Sequence, residues 1–94
     1  MFRRRFQNKI EGITLVYKIQ RQKEDGTYSL TVTEKRNGLH QRTVFAKTAQ
    51  SRKNAAAIAK YLCQNAVMSA HIEDVLAEKF GITAFALSHE TIKP

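Results

Sequence analysis

Between Ile13 and Lys47 apolar and polar residues alternate in three short runs, separated by Asp25-Gly26 and Asn37-Gly38. Alternation at a period of two marks a strand with one buried face. Asp-Gly and Asn-Gly between such runs are strong hairpin signals, because a type I′ turn needs positive φ at both central residues. The stretch therefore predicts a three-stranded antiparallel β-meander. Two-residue turns set Glu24 opposite Thr27 and Arg36 opposite Leu39. That register brings Ile19 to Val32, Lys18 to Thr33, Leu30 to Phe45 and Thr33 to Arg42. Partners across a ladder share a face, and both turns sort the side chains alike. One face collects Ile13, Leu15, Tyr17, Ile19, Tyr28, Leu30, Val32 and Phe45. The other collects Val16, Lys18, Gln20, Ser29, Thr31, Thr33, Lys35, His40, Arg42 and Val44. Glu34 and Thr43 fall on the apolar side, where the pattern offers them no partner.

The pattern then changes period. Thr48 to Ser51 is a connector, with Ser51 or Thr48 as helix N-cap. Residues 54–63 are rich in alanine, the best helix former, and Ala55, Ile58, Ala59, Leu62 and Ala66 recur at helical spacing. Small residues on that stripe let the helix lie close to a sheet, and Asn65 can end it in the left-handed region. Ser69 is the expected N-cap of a second helix, with Glu73 and Asp74 in its first turn and Lys79 in its last, as the helix dipole favours. Its apolar stripe is Ile72, Val75, Leu76 and Phe80, and Gly81 is its expected C-cap. The short link predicts an αα-hairpin over 51–81, packed on one sheet face. Residues 82–94 leave two readings open: a strand over Thr83–Ser88, where Phe85 and Leu87 alternate with small residues, or packing on a neighbouring chain. Residues 1–11 show no periodicity and read as a basic N-terminal arm. The expected fold is α+β: meander, two helices and a short C-terminal strand left open.

A chain of 94 residues is expected to form a single domain. Its one cysteine, Cys63, allows no internal disulfide and fits a reducing compartment. No secretory leader or bilayer-spanning run is apparent, so no membrane partner and a cytoplasmic location are expected. Charge alters the picture more. The formal net charge is +8. Residues 1–53 hold thirteen Lys or Arg against four acids, while residues 54–94 hold three against four. A one-sided basic half is the footprint of a polyanion binder. The competing reading is charge that keeps a small domain soluble and guards sheet edges.

The run Val67-Met68-Ser69-Ala70-His71-Ile72-Glu73-Asp74-Val75, with the alanine-rich helix before it and the strand that begins at Tyr28, resembles a family of small uncharacterised bacterial proteins. It is a domain-of-unknown-function group typical of Gram-positive genomes. The resemblance spans about Tyr28–Phe80, with Ile72 where the family has Leu and no proline before His71. It implies no catalytic or ligand residue. A looser likeness, at the level of fold, is to the three-strand-plus-helix DNA-binding domains of some phage-type and transposon integrases, in which a sheet face enters the major groove.

Chemistry-bearing residues are sparse. His40, His71, His89 and Cys63 lie far apart, so nothing has metal-ligand spacing. No Gly-rich phosphate loop or nucleophile elbow is present, and no cofactor is implied. Glu73 and Asp74 are adjacent on a helix and point apart. An enzyme is the least favoured class. The outer sheet face is the constellation with shape, with Lys18, Thr33 and Arg42 in one rung. Two readings compete. Open sheet edges and an apolar tail favour a non-catalytic protein-interaction or self-assembly module, such as a homodimer through a sheet edge or the C-terminal tail. The basic half favours binding of nucleic acid, specifically duplex DNA, through Arg3, Arg4 and Arg5 of the arm and Lys18, Thr31, Thr33, Lys35 and Arg42 of the face. No aromatic residue stands on that face to stack bases, which argues against single-stranded RNA.

Overall fold

The computed structural model describes residues 3–84 and 86–92. Its strands are β1 (Arg3–Ile10), β2 (Ile13–Arg21), β3 (Tyr28–Arg36), β4 (Leu39–Ala49) and β5 (Ala86–Ile92). They form one antiparallel sheet in chain order, and α1 (Arg52–Gln64) and α2 (Ser69–Phe80) fall between β4 and β5. The α+β class stands as expected, but the meander has four strands, and a fifth closes the far side.

Arg3–Ile10, expected to be an arm, is a strand. It pairs with β2 from Arg3↔Gln20 to Ile10↔Ile13. Glu11 at φ 49° and Gly12 at φ 81° form the two-residue turn between them. That pair of positive φ values is the one that type I′ turns require.

Between β2 and β3 the expected two-residue turn is replaced by a longer loop. Arg21 pairs with Tyr28, Ile19 with Leu30, and Lys18 with Thr31. The Gln22 N–H donates to Thr27 O at 2.7 Å, and the Gly26 N–H to Gln22 O at 2.9 Å. Asp25 Oδ1 accepts from the Thr27 N–H and hydroxyl at 2.9 and 2.7 Å. This local bonding competes with a tight turn at Asp25-Gly26. The register moves by two residues, an even number, so every side chain keeps its face while every rung changes. The second turn is as expected: Asn37 and Gly38 have φ 49° and 78°, and Arg36, Thr33 and Leu30 meet Leu39, Arg42 and Phe45. Beyond Leu30 the ladder slips, and Tyr28 meets Ala49. The extra residues of β4 are taken up around Lys47 at φ 53°, where the Thr48 hydroxyl donates to Phe45 O at 3.0 Å.

Ser51 caps α1, its hydroxyl accepting from the Asn54 N–H at 3.1 Å. The helix starts two residues before the alanine run. Ala55, Ile58, Ala59 and Leu62 are buried against the sheet, and α1 runs over β1 to β4. Its end differs from expectation. Asn65 has φ −100°, and it is Ala66, at φ 49°, that turns left-handed. Val67 N–H reaches Leu62 O at 3.0 Å and Ala66 N–H reaches Cys63 O at 3.1 Å, a Schellman closure.

Met68, not Ser69, is the N-cap of α2, and no acid lies in the first turn. Ser69 instead donates its hydroxyl to Glu34 Oε1 at 2.6 Å. This accounts for Glu34 on the apolar side: its carboxylate lies at the positive end of a helix. Ile72 and Leu76 are buried, while Val75 and Phe80 are only partly so. Gly81, at φ 65°, closes the helix as expected. α1 and α2 meet where Tyr61 and Phe80 stack edge to face, 5.5 Å apart. After α2, β5 begins at Ala86 rather than Thr83 and pairs with β4 from Ala86↔Phe45 to Ile92↔His40. Phe85 lies outside the described residues.

The core is the expected apolar face, with Leu15, Tyr17, Leu30 and Val32 each fully enclosed under the helices. Two polar ties fix it. The Tyr17 hydroxyl donates to Val67 O at 2.6 Å, and Asn8 Nδ2 donates to Cys63 O at 2.7 Å. The first ends on the link after α1, and the second joins the Ala66 N–H on a carbonyl in the last turn of α1.

Candidate functional site

Among the described residues the sheet has one face under the helices and one face without a cover. On the uncovered face the observed registers build rungs across four strands. Arg5, Lys18, Thr31 and Val44 form one rung, and Gln7, Val16, Thr33 and Arg42 form the next. Lys9, Thr14, Lys35 and His40 form a third. The expected rung of Lys18, Thr33 and Arg42 is therefore corrected: Lys18 stands beside Thr31, and Arg42 beside Thr33. The residues share a face as expected, since a shift of two preserves parity.

A depression of about 390 Å³ lies on this face. Lys18, Thr31, Thr33, Lys35 and Arg42, all expected site residues, line it. Arg5 joins them from β1, and Val16, Gln20 and Val44 supply the rest. Four cations thus surround the hollow, and its described lining has no carboxylate. Lys18, Arg42 and Arg5 are exposed, while Thr31, Thr33 and Lys35 are half-buried. Val16 is only 5% exposed, a floor beneath the longer side chains. Arg5 stands directly opposite Lys18, and its guanidinium donates to Gln7 Oε1 at 3.1 Å. Like charges placed opposite each other on neighbouring strands repel. Arg42 takes the position opposite Glu90 of β5.

The three arginines expected in an arm separate. Arg3 takes the register position opposite Gln20. Arg5 lines the hollow. Arg4 pairs with Ile19 on the helix side, its guanidinium 5.0 Å above the Phe6 ring, and so leaves the candidate set. Sequence reasoning missed that β1 contributes to the face at all. The signal was present in Arg3, Arg5, Gln7 and Lys9 alternating with Phe6, Asn8 and Ile10, but only two apolar residues mark the inner side.

Other groups are quieter. Burial pushes the Tyr17 phenol well above its ordinary value, with Cys63 and Glu34 adding to the effect. Burial likewise raises the Cys63 thiol, which disfavours the reactive thiolate. The Thr27 hydroxyl and N–H hold the Asp25 carboxyl below its ordinary value. A hollow of about 520 Å³ at the start of α2 is lined in part by Glu34, His71 and Glu73 but not by Glu78. Another of about 550 Å³ lies between the β4 bulge and the helices and is walled mainly by Ala49, Ile58, Phe80 and Ile82. Among the described residues no group of three or more His, Cys, Asp or Glu could hold a metal ion. No helix among them is long and apolar enough to cross a membrane.

Comparison with family models, with curated proteins and with solved structures gives no significant match for this chain.

Proposed function

We propose that this protein binds duplex DNA through the uncovered face of its sheet. The observation that carries the reading is the hollow ringed by Arg5, Lys18, Lys35 and Arg42, with Glu90 of β5 at the register position opposite Arg42. Guarding a sheet edge accounts for cations on an outer strand such as β1. It does not account for Lys18 and Lys35, which stand on the interior strands β2 and β3. Arg5 opposite Lys18 costs on the order of 0.2–1 kcal/mol in repulsion, which a bound phosphate would offset. No Phe, Tyr or Trp stands on the rungs of this face, so duplex is favoured over single strand.

Interaction or self-assembly through a sheet edge is the second reading. The edges first expected to be open are those of β2 and β4, and both are paired. The outer strands are now β1 and β5. Arg4, Arg5 and Lys9 on β1 oppose pairing with another copy, as charged edge strands generally do. The resemblance to a Gram-positive family without an assigned activity favours neither reading.

The test is a fluorescence-anisotropy titration of a labelled duplex at low and moderate salt. The protein, Lys18→Ala/Lys35→Ala and Lys60→Ala/Lys79→Ala are compared, the last pair altering exposed lysines on the helices. Each phosphate contact contributes about −0.9 to the slope of log K against log salt, so the sheet-face pair should flatten it by about 1.8. The helix pair should leave it unchanged. Absence of binding at low salt, or binding indifferent to Lys18 and Lys35, rejects the reading. A dimer by light scattering without DNA binding would favour the second.

A further inference from the structure

The cations of the sheet face surround a centre that is uncharged and rich in methyl groups. Cross-strand pairing puts Val16 beside Thr33 and Thr31 beside Val44, a contiguous block on three adjacent strands. Lys18 and Arg5 lie to one side of the block, and Lys35 and Arg42 to the other. Such a layout separates two tasks. Phosphate contacts position a protein on a duplex and carry no sequence information, whereas groups that meet base edges do. In the major groove the one apolar group that distinguishes base pairs is the C5 methyl of thymine, and threonine methyl groups are suited to contact it.

Resting on the duplex-DNA reading above, we infer that Thr31 and Thr33, with Val44, form a thymine-methyl reading strip between two phosphate-binding flanks. Thr31, Thr33 and Val44 are half-buried, so their methyl groups are accessible from the open side while their positions are held by the ladder. Val16, 5% exposed, stands level with them on the same face. The hydroxyls of the two threonines can donate or accept at a base edge, so adenine partners are tolerated. Double-stranded RNA does not satisfy this surface. Its major groove is too deep and narrow for side chains to read, and uracil lacks the methyl group.

The decisive probe is a short alternating dA·dT duplex and the same duplex with deoxyuridine in place of thymidine. The pair differs by the C5 methyl alone. The protein should bind the thymine duplex more tightly, by about fourfold for each methyl group covered. Thr31→Ser/Thr33→Ser removes the two side-chain methyls and keeps both hydroxyls. Its preference for the thymine duplex should shrink by the share of the two threonines, to what Val44 alone supplies. Circular dichroism is the check that this variant is folded. Equal affinity of the unaltered protein for the two duplexes overturns the reading strip and leaves DNA binding standing. An unchanged preference in the serine variant also overturns it, because the methyl contact would then lie elsewhere. Failure to bind either duplex at low salt overturns both readings.

Discussion

Tyr17 shows at the scale of one residue how the sheet and the helices are joined. Its ring is fully enclosed, and its hydroxyl satisfies the Val67 carbonyl beyond the end of α1. Tyr17→Phe leaves that acceptor without its donor and is expected to cost about 1–2 kcal/mol in denaturant unfolding. The cost should depend on pH. The phenol is raised above 10.0 in the fold, so its contribution is complete below that pH and declines as pH rises towards the higher folded value. The gap between the protein and Tyr17→Phe should therefore narrow only in strong alkali. Ala66 gives a prediction of opposite sign. At φ 49° it pays the steric penalty that L-residues meet in the left-handed region. Ala66→Gly is expected to stabilise the fold by about 0.5–1 kcal/mol, measured as a shift in the urea midpoint at unchanged slope.

At the scale of elements, β1 holds both the main surprise and a trade-off. Its pairing with β2 sets Arg5 against Lys18. Arg5→Thr should stabilise the fold by about 0.2–1 kcal/mol by removing the repulsion, yet weaken binding to DNA. Calorimetry and anisotropy on one variant check both halves. The strand was hard to read because Arg4 and Asn8 share its inner side with Phe6 and Ile10, which blurs the alternation. Its turn also uses Glu11, where Asn or Asp is the usual signal. Errors in the β2–β3 pairing were less damaging. Asp25 bonds to Thr27 and draws the turn into a wider loop, but the two-residue slip keeps Lys18, Thr31 and Lys35 on one face. Parity, which the apolar–polar alternation fixes, was legible; rung assignment, which depends on loop hydrogen bonds, was not. The caps divide the same way. Gly81 was legible because glycine favours positive φ, whereas Ala66 gives no local sign of adopting it.

At the scale of the whole molecule the chain separates apolar from cationic surface. Leu62, Ile72 and Leu76 are fully enclosed on the helix side, while Arg5, Lys18, Lys35 and Arg42 collect on the other. Leu76→Ala should cost about 2–5 kcal/mol, as large-to-small core substitutions do. The charge asymmetry between the two halves of the sequence pointed to this division, but only the sheet converts it into a concave site. The measurement that tests the account most directly is methyl-resolved NMR with an unlabelled dA·dT duplex added at low salt. The methyl signals of Thr31, Thr33 and Val44 should shift on binding, and those of Leu62, Ile72 and Leu76 should hold their positions. Shifts confined to the helix-side methyls, or none while the duplex is in excess, would contradict a DNA-binding sheet face.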